Sequence, residues 1–465
     1  MVTARQAVIL GALGLSGCQP PCGRDLPPVD AGTGPGGGGN LLVVVLDDVG
    51  VEQLSAWGPA SFPARTPTID CLCERGLRFT QAWASPACSP SRAELLTGRY
   101  NRRLGIGTIF TPSATPFELS TSEDTLPEVV GRAGYATGLF GKWHLTEPTQ
   151  PGAASHPNRS GFDRFAGSIA NINAALAGHE ANSYDEWEYI VDGEAQRSTR
   201  YPTTQTVDDA LDFVGEVGDQ PWLVVLSFHA PHIPLHWPPS RLYREAQPAL
   251  SGDHQQYLAM LEAADAEVGR FLRRLPRADR ADTTVVLLSD NGSTLDMIDP
   301  ALGAVGAKAS TQELGVRVPV VVSGPAVRPG VSDALVHLVD VLPTLADIAG
   351  AAPEAELDGR SWRPLFTDPS AQVHETIATA KFRPLGLGEP EVLTRAVRSA
   401  THKLMVSSTG HETLHRVGPG QLVEGEDRAS DPSEADAAQL ASLREALSTL
   451  DASVAEGWPS DDALE

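Results

Sequence analysis

Cys88, Pro90 and Arg92 stand at C-x-P-x-R spacing, and Leu96-Thr97-Gly98 closes the run. That pattern could do nucleophilic chemistry on an anion. Pro90 suits the first turn of a helix, where its missing N–H would be unpaired anyway. Gly98 suits the stop, because it takes the left-handed conformation beyond the last turn. The run therefore predicts one short helix with Cys88 at its N-terminus, where free N–H groups and the macrodipole favour an anion. Arg92 lies one turn on, on the same face. Standing alone, the run reads equally well as a buried or reactive cysteine beside a helix cap. The elements around it must decide.

Apolar, β-branched runs predict buried parallel strands at Leu41–Leu46, Tyr135–Phe140, Trp222–Phe228, Thr283–Ser289 and Val318–Val322. Helical patterns lie between them, the clearest placing Tyr257, Leu261, Ala264, Val268 and Phe271 on one stripe. The alternation implies an α/β fold with a large, mostly parallel sheet flanked by helices. In such folds ligands bind at the carboxyl ends of the strands. Asp47-Asp48 follow the first strand, Lys142 and His144 the second, His229 and His232 the third, and Asp290-Asn291 the fourth. Each alone reads as a turn, cap, surface or interior residue. Together, at four strand ends, they predict a site. His229 is the reserve candidate behind His232, and His236 is expected at the rim or on the surface. Asp47, Asp48, Asp290 and Asn291 offer only oxygen donors, which suits calcium or magnesium and not zinc or copper. Calcium is favoured because it tolerates a larger, irregular shell. Four protein residues leave room in that shell for a substrate oxygen.

The 465 residues are 41% hydrophobic and 20% charged, an ordinary globular composition. A net charge of −24 argues against nucleic-acid partners, which want a basic face. An anion site must then be a local positive pocket. Residues 1–18 read as a signal segment with Arg5, an apolar stretch from Ala7 to Leu15, and Leu15-Ser16-Gly17-Cys18. That ending resembles a bacterial lipobox, in which Cys18 would carry the lipid anchor. An ordinary cleaved secretory signal is the alternative. Both imply export, the first to the periplasm or cell surface as a membrane-anchored lipoprotein. Residues 19–39 are a Pro/Gly-rich tether, residues 40–370 the α/β domain and residues 371–465 a smaller subdomain. Cys22, Cys71 and Cys73 are read as structural. Cys71 and Cys73 fall on a predicted helix, where i and i+2 point apart, so they do not pair with each other.

The run Cys88–Gly98 matches a signature, and the chain resembles the formylglycine-dependent sulfatases of the alkaline phosphatase-like superfamily. Further blocks agree in order: Thr66-Pro67-Thr68-Ile69-Asp70, Gly141-Lys142-Trp143-His144-Leu145, Gly161-Phe162-Asp163, Ala230-Pro231-His232-Ile233-Pro234, then Lys308, Glu313 and Arg317-Val318-Pro319. The resemblance spans about residue 40 to Asp358-Gly359. It departs at Gln312-Glu313-Leu314-Gly315, where the family often has Tyr-Glu-Gly-Gly. His402-Lys403-Leu404 looks like the start of the family's small C-terminal antiparallel sheet, and Leu440, Leu443, Leu447 and Leu450 give a terminal helix.

The resemblance implies hydrolysis of sulfate esters, with Cys88 oxidised to formylglycine by a formylglycine-generating enzyme. It implies calcium, or occasionally magnesium, held by Asp47, Asp48, Asp290, Asn291 and residue 88. Arg92 and Lys142 would hold the nucleophile. His144 would orient it and accept a proton during sulfate release. His232 and Lys308 would bind the sulfate and protonate the leaving oxygen. The substrate would be a sulfated small molecule or sulfated carbohydrate. Phosphonate monoester and phosphodiester hydrolases of the same superfamily can use the same modified cysteine and stand as the alternative. A non-catalytic lipoprotein that binds sulfated glycans is a second one; against it, every expected site position is filled.

Overall fold

The computed structural model describes residues 39–456 except 59–60, 112–116, 173–181, 245–249 and 304–305. The expected signal segment, Cys18, Cys22 and all of the tether but Gly39 lie outside the described residues. In chain order, the strands of the main sheet are β1 (Asn40–Leu46), β2 (Leu77–Trp83), β3 (Ala136–Lys142), β4 (Arg164–Ser168), β5 (Trp187–Val191), β6 (Glu194–Ser198), β7 (Trp222–Ser227), β8 (Thr283–Ser289), β9 (Val320–Ser323) and β10 (Gly330–His337). They lie in the order β10-β2-β9-β8-β1-β7-β3-β4-β5-β6. β1 is buried along its whole length, as an unbroken apolar run must be when helices cover both faces. Its alternate residues feed two separate cores. Leu41, Val43 and Val45 enter one, and Leu42, Val44 and Leu46 the other. The helix Gly252–Arg274 packs its expected stripe of Tyr257, Leu261, Ala264, Val268 and Phe271 into the second core.

β1 pairs in parallel with β7 and β8, and β3 with β7 and β4, so the carboxyl ends of β1, β3, β7 and β8 share one edge of the sheet. Two expectations need correction. The run Val318–Val322 becomes β9, which starts at Val320 and runs antiparallel to β2 and β8. Parallel pairing needs a crossover over the sheet, usually helical. Between β8 and β9 the only α-helix among the described residues is the four-residue Glu313–Val316, so the chain re-enters from the end it left. The second correction concerns β3, which runs on through Gly141 and Lys142. Gly141 has φ +107° there, and a Cβ would stand 1.9 Å from the Ser227 carbonyl oxygen of β7, so only glycine lets the two strands close.

A separate antiparallel sheet follows, β11 (Ile377–Arg383), β12 (Val392–Arg398), β13 (His402–Val406) and β14 (Glu412–Arg416), paired in sequence. It begins at Ile377, so His402 opens its third strand and not its first. The early strands hide because the first half of β12 is only partly buried and carries no clean alternation. The helix Glu434–Glu456 covers this sheet through Leu440, Leu443 and Leu447. A buried ion cluster joins the two sheets. Glu313 meets Lys403 Nζ and Arg398 Nη1, each at 3.1 Å. Burial opposes its ionisation, but Lys403, Arg398 and Arg317 hold its pKa down at about 2. Cys71 lies in the helix Pro67–Arg75 and is disulfide-bonded; Cys73 is a free thiol.

Candidate active site

The signature helix spans Cys88–Thr97 and ends at Gly98 with φ +67°. Every residue of it is buried. Its N-terminus meets the shared strand edge. Cys88 Sγ lies 3.4 Å from Asp47 Oδ1 and 3.9 Å from Asp48 Oδ1. Ligand atoms of Asp47, Asp48, Cys88 and Asp290 all fall within 4.8 Å of one another. β1 and β8 bring the acids together because Leu46 pairs with Ser289 directly before Asp47 and Asp290. Asp48 turns away with φ +66°, a left-handed conformation that aspartate tolerates better than most residues.

Cations surround this acidic centre. Lys142 Nζ lies 2.5 Å from Asp47 Oδ2. Lys308 Nζ lies 2.6 Å from Asp48 Oδ1 and 3.2 Å from Cys88 Sγ. Arg92 grips Asp290 Oδ2 through Nε at 2.9 Å and Nη2 at 2.8 Å. Three carboxylates thus face three fixed cations. Burial would raise Asp47, yet Lys142, His232, Arg92 and Lys308 hold it well below the usual carboxylate range. Asp290 goes the other way, pushed up by burial and by Asp47. Burial, then Asp290 and Asp47, push the Cys88 thiol far up, so the unmodified side chain is a neutral thiol and a weak nucleophile.

His144 is buried with φ +64°, its backbone N–H donating to the Ile169 carbonyl at 2.8 Å. Burial, with Lys142 and Arg92, holds its pKa well down, and its Nδ1 has no partner. His232 Nδ1 lies 2.8 Å from the Ile233 carbonyl oxygen, and its Nε2 faces Asp48 Oδ2 at 3.9 Å. Asn291 donates Nδ2 to Asp48 Oδ1 at 2.8 Å and leaves its buried Oδ1 unpaired. An orphaned carbonyl oxygen beside three carboxylates is the donor set a hard divalent cation takes. The residues present therefore fit calcium or magnesium.

All ten expected site residues thus lie at one locus. His229 lies behind it, its Nε2 on Ser168 Oγ at 2.6 Å, and His236 is half-buried against Tyr184 and Tyr201. Two contributors escaped the sequence reading. Ser227 closes β7 and ties Arg92 Nη1 to the Lys142 carbonyl, with both contacts at 2.6 Å. Tyr257 donates its hydroxyl to the Asp48 carbonyl at 2.6 Å. A polar residue ending an apolar strand was the available signal for Ser227; Tyr257 read simply as part of an apolar stripe.

The family model described as Sulfatase matches residues 39–351. The chain belongs to the sulfatase family. As a sulfatase it is a sulfuric ester hydrolase. It is 30% identical to the steryl-sulfatase of Rattus norvegicus over 422 residues, covering 71% of each protein. It is 30% identical to the N-acetylgalactosamine-6-sulfatase of Homo sapiens over 359 residues, covering 70% of this chain and 65% of the human one. Among solved structures, Ps i-CgsB in complex with k-i-k-neocarrahexaose shares the fold, with TM-score 0.73 and 24% identity over 88% of this chain and 92% of that one.

Proposed function

We propose that this sulfatase hydrolyses sulfate esters of carbohydrates through a formylglycine made from Cys88 and a divalent cation held by Asp47, Asp48, Asp290, Asn291 and residue 88. The observation that carries this reading is the burial of Cys88 among three carboxylates and three cations, with its thiol kept neutral. Hydrated formylglycine supplies two hydroxyls where a thiol offers none, one to attack sulfur and one to lose a proton as sulfate leaves. Bound calcium or magnesium would lower the pKa of a hydroxyl at position 88.

The chain's own residues supply the rest. Arg92, from the signature helix, and Lys142, from the end of β3, hold the anionic side of the nucleophile in place. His144 is a neutral base, ready to take a proton. Lys308 keeps its charge, because Asp48 and its other anionic neighbours overcome the effect of burial. It can therefore hold the sulfate and donate toward the leaving oxygen, with His232 beside it. Fixed donors of this kind contribute on the order of 2–4 kcal/mol each to the transition state. Carbohydrate is favoured because one relative is named for N-acetylgalactosamine 6-sulfate and one structural neighbour is solved in complex with k-i-k-neocarrahexaose. We further propose export and anchoring through Cys18, with a formylglycine-generating enzyme acting before the chain folds.

Mass spectrometry of the Cys88 peptide from the native host, paired with parallel assays on aryl sulfate, aryl phosphonate and phosphodiester, tests the reading. An aldehyde mass and preferential sulfate release are expected. An unmodified cysteine in an active enzyme defeats the nucleophile, and a preference for phosphorus defeats the ester class.

A further inference from the structure

Cys88, Asp47 and Lys142 are sealed from solvent, whereas the Lys308 side chain keeps 16% of its exposure and the next residue, Ala309, is exposed. The centre therefore opens on the Lys308 side. β11 of the second sheet runs past this opening. Its alternate residues Thr379, Lys381 and Arg383 share one face. Thr379 Oγ1 lies 3.3 Å from Ser85 Oγ, just before the signature helix. Lys381 Nζ donates to the Ala309 carbonyl at 2.6 Å, and Ala309 N–H donates to the Pro86 carbonyl at 2.7 Å. Arg383 comes next on that face and is exposed.

Among the described residues, neither Lys381 nor Arg383 forms an ion pair. Burial and the nearby Arg383 lower the Lys381 pKa, so the two cations lie close enough to repel each other. In a chain of net charge −24, such a pair beside an anion-handling centre is a local exception. Lys381 also holds Ala309 in the left-handed region, at φ +69°. That role accounts for Lys381 but not for Arg383.

We propose that Lys381 and Arg383 form a cationic subsite at the mouth of the centre, which binds a second anionic group, sulfate ester or carboxylate, on the substrate whose ester is cleaved. The proposal rests on the carbohydrate sulfatase reading above. A bound anion relieves the repulsion between the two cations, and a polyanionic substrate gains local attraction that offsets the acidic surface at long range.

The test uses the full chain with residue 88 converted, as wild type, Arg383→Ala and Lys381→Gln. Each is assayed on a monosulfated aryl ester, a disulfated disaccharide and a monosulfated disaccharide carrying a uronic acid. Thermal midpoints confirm folding. In Arg383→Ala, kcat/KM for one or both disaccharides should fall about tenfold further than for the aryl ester, through KM, with a shallower dependence on salt. The disaccharide that shows the loss identifies the second anion. An equal change on all three substrates, or none, overturns the subsite alone. A wild type that releases no sulfate from either disaccharide overturns the carbohydrate reading, and the subsite with it.

Discussion

Replacing Glu94 by Gln should stabilise the protein at neutral and alkaline pH and do little near pH 5. Glu94 sits inside the signature helix with no solvent exposure. Its Oε1 accepts from Ser85 Oγ at 3.0 Å and from the Asn101 backbone N–H at 3.1 Å, while Oε2 has no partner. Burial pushes its pKa up to about 8, with a smaller push from Asp358. Below the ordinary glutamate value the group is neutral in both the folded and the unfolded chain, and folding carries no proton cost. As pH rises, the unfolded chain ionises first and folding must take a proton up. Stability is then lost at about 1.4 kcal/mol per pH unit until the folded group itself ionises. The window runs from roughly pH 4.5 to pH 8, giving a ceiling of about 5 kcal/mol and an expected effect of about 2–4 once the buried site relaxes. Glutamine has nearly the same shape and cannot ionise, so the contribution of position 94 should be flat across that window. Thermal midpoints of both proteins at pH 5, 6, 7 and 8 should show a gap that widens steadily in favour of the variant. A gap that stays constant with pH would mean Glu94 is ionised in the folded protein, and the argument from burial would be wrong.

Lys142→Met should cost about 3–5 kcal/mol of stability, because among the described residues it leaves buried Asp47 with only Arg92 at 3.9 Å as a direct ion partner. It should also reduce kcat by roughly 100-fold or more; near-wild-type thermal midpoints and sulfate release would remove Lys142 from both roles. Calcium restored to chelator-treated protein at a hundred times its Kd should stabilise the fold by about 2.7 kcal/mol. A thermal midpoint indifferent to chelator and to calcium would sink the oxygen-donor reading of Asp47, Asp48, Asp290 and Asn291. Tyr257→Phe removes the 2.6 Å hydroxyl bond to the Asp48 carbonyl and should cost about 1–3 kcal/mol together with a weaker calcium response. An unchanged response would make that bond incidental to the site.

Why some of this was legible and some was not follows from what each residue's neighbours do. Asp47, Asp48, Asp290 and Asn291 stood out because each pair interrupts a buried apolar run, and burial on both faces leaves no bland reason for repeated polar strand ends. The direction of β9 was hidden, since Val-Val-Val reads the same either way and direction is set by the connection. β5 and β6 were hidden for a different reason. Trp187–Val191 falls at the edge of a stretch with no clear period, and most of Glu194–Ser198 is exposed. Glu94 is the hardest case. Glutamate on a helix ordinarily faces water, and nothing in Arg92-Ala93-Glu94-Leu95 tells which way it turns. Its burial follows from Asn101 and Ser85, brought to it by the folded chain. The same holds for Lys381 and Arg383, which are unremarkable in sequence and lie 73 and 75 positions after Lys308. Only the second sheet, clamped by Glu313 to the loop that carries Lys308, sets their face beside the opening. Chemistry at strand ends is written locally, because one strand carries both the signal and its context. Specificity at the mouth is assembled from segments that meet only in the fold, so it is there that substitutions should change which sulfate ester is chosen without changing how it is cleaved.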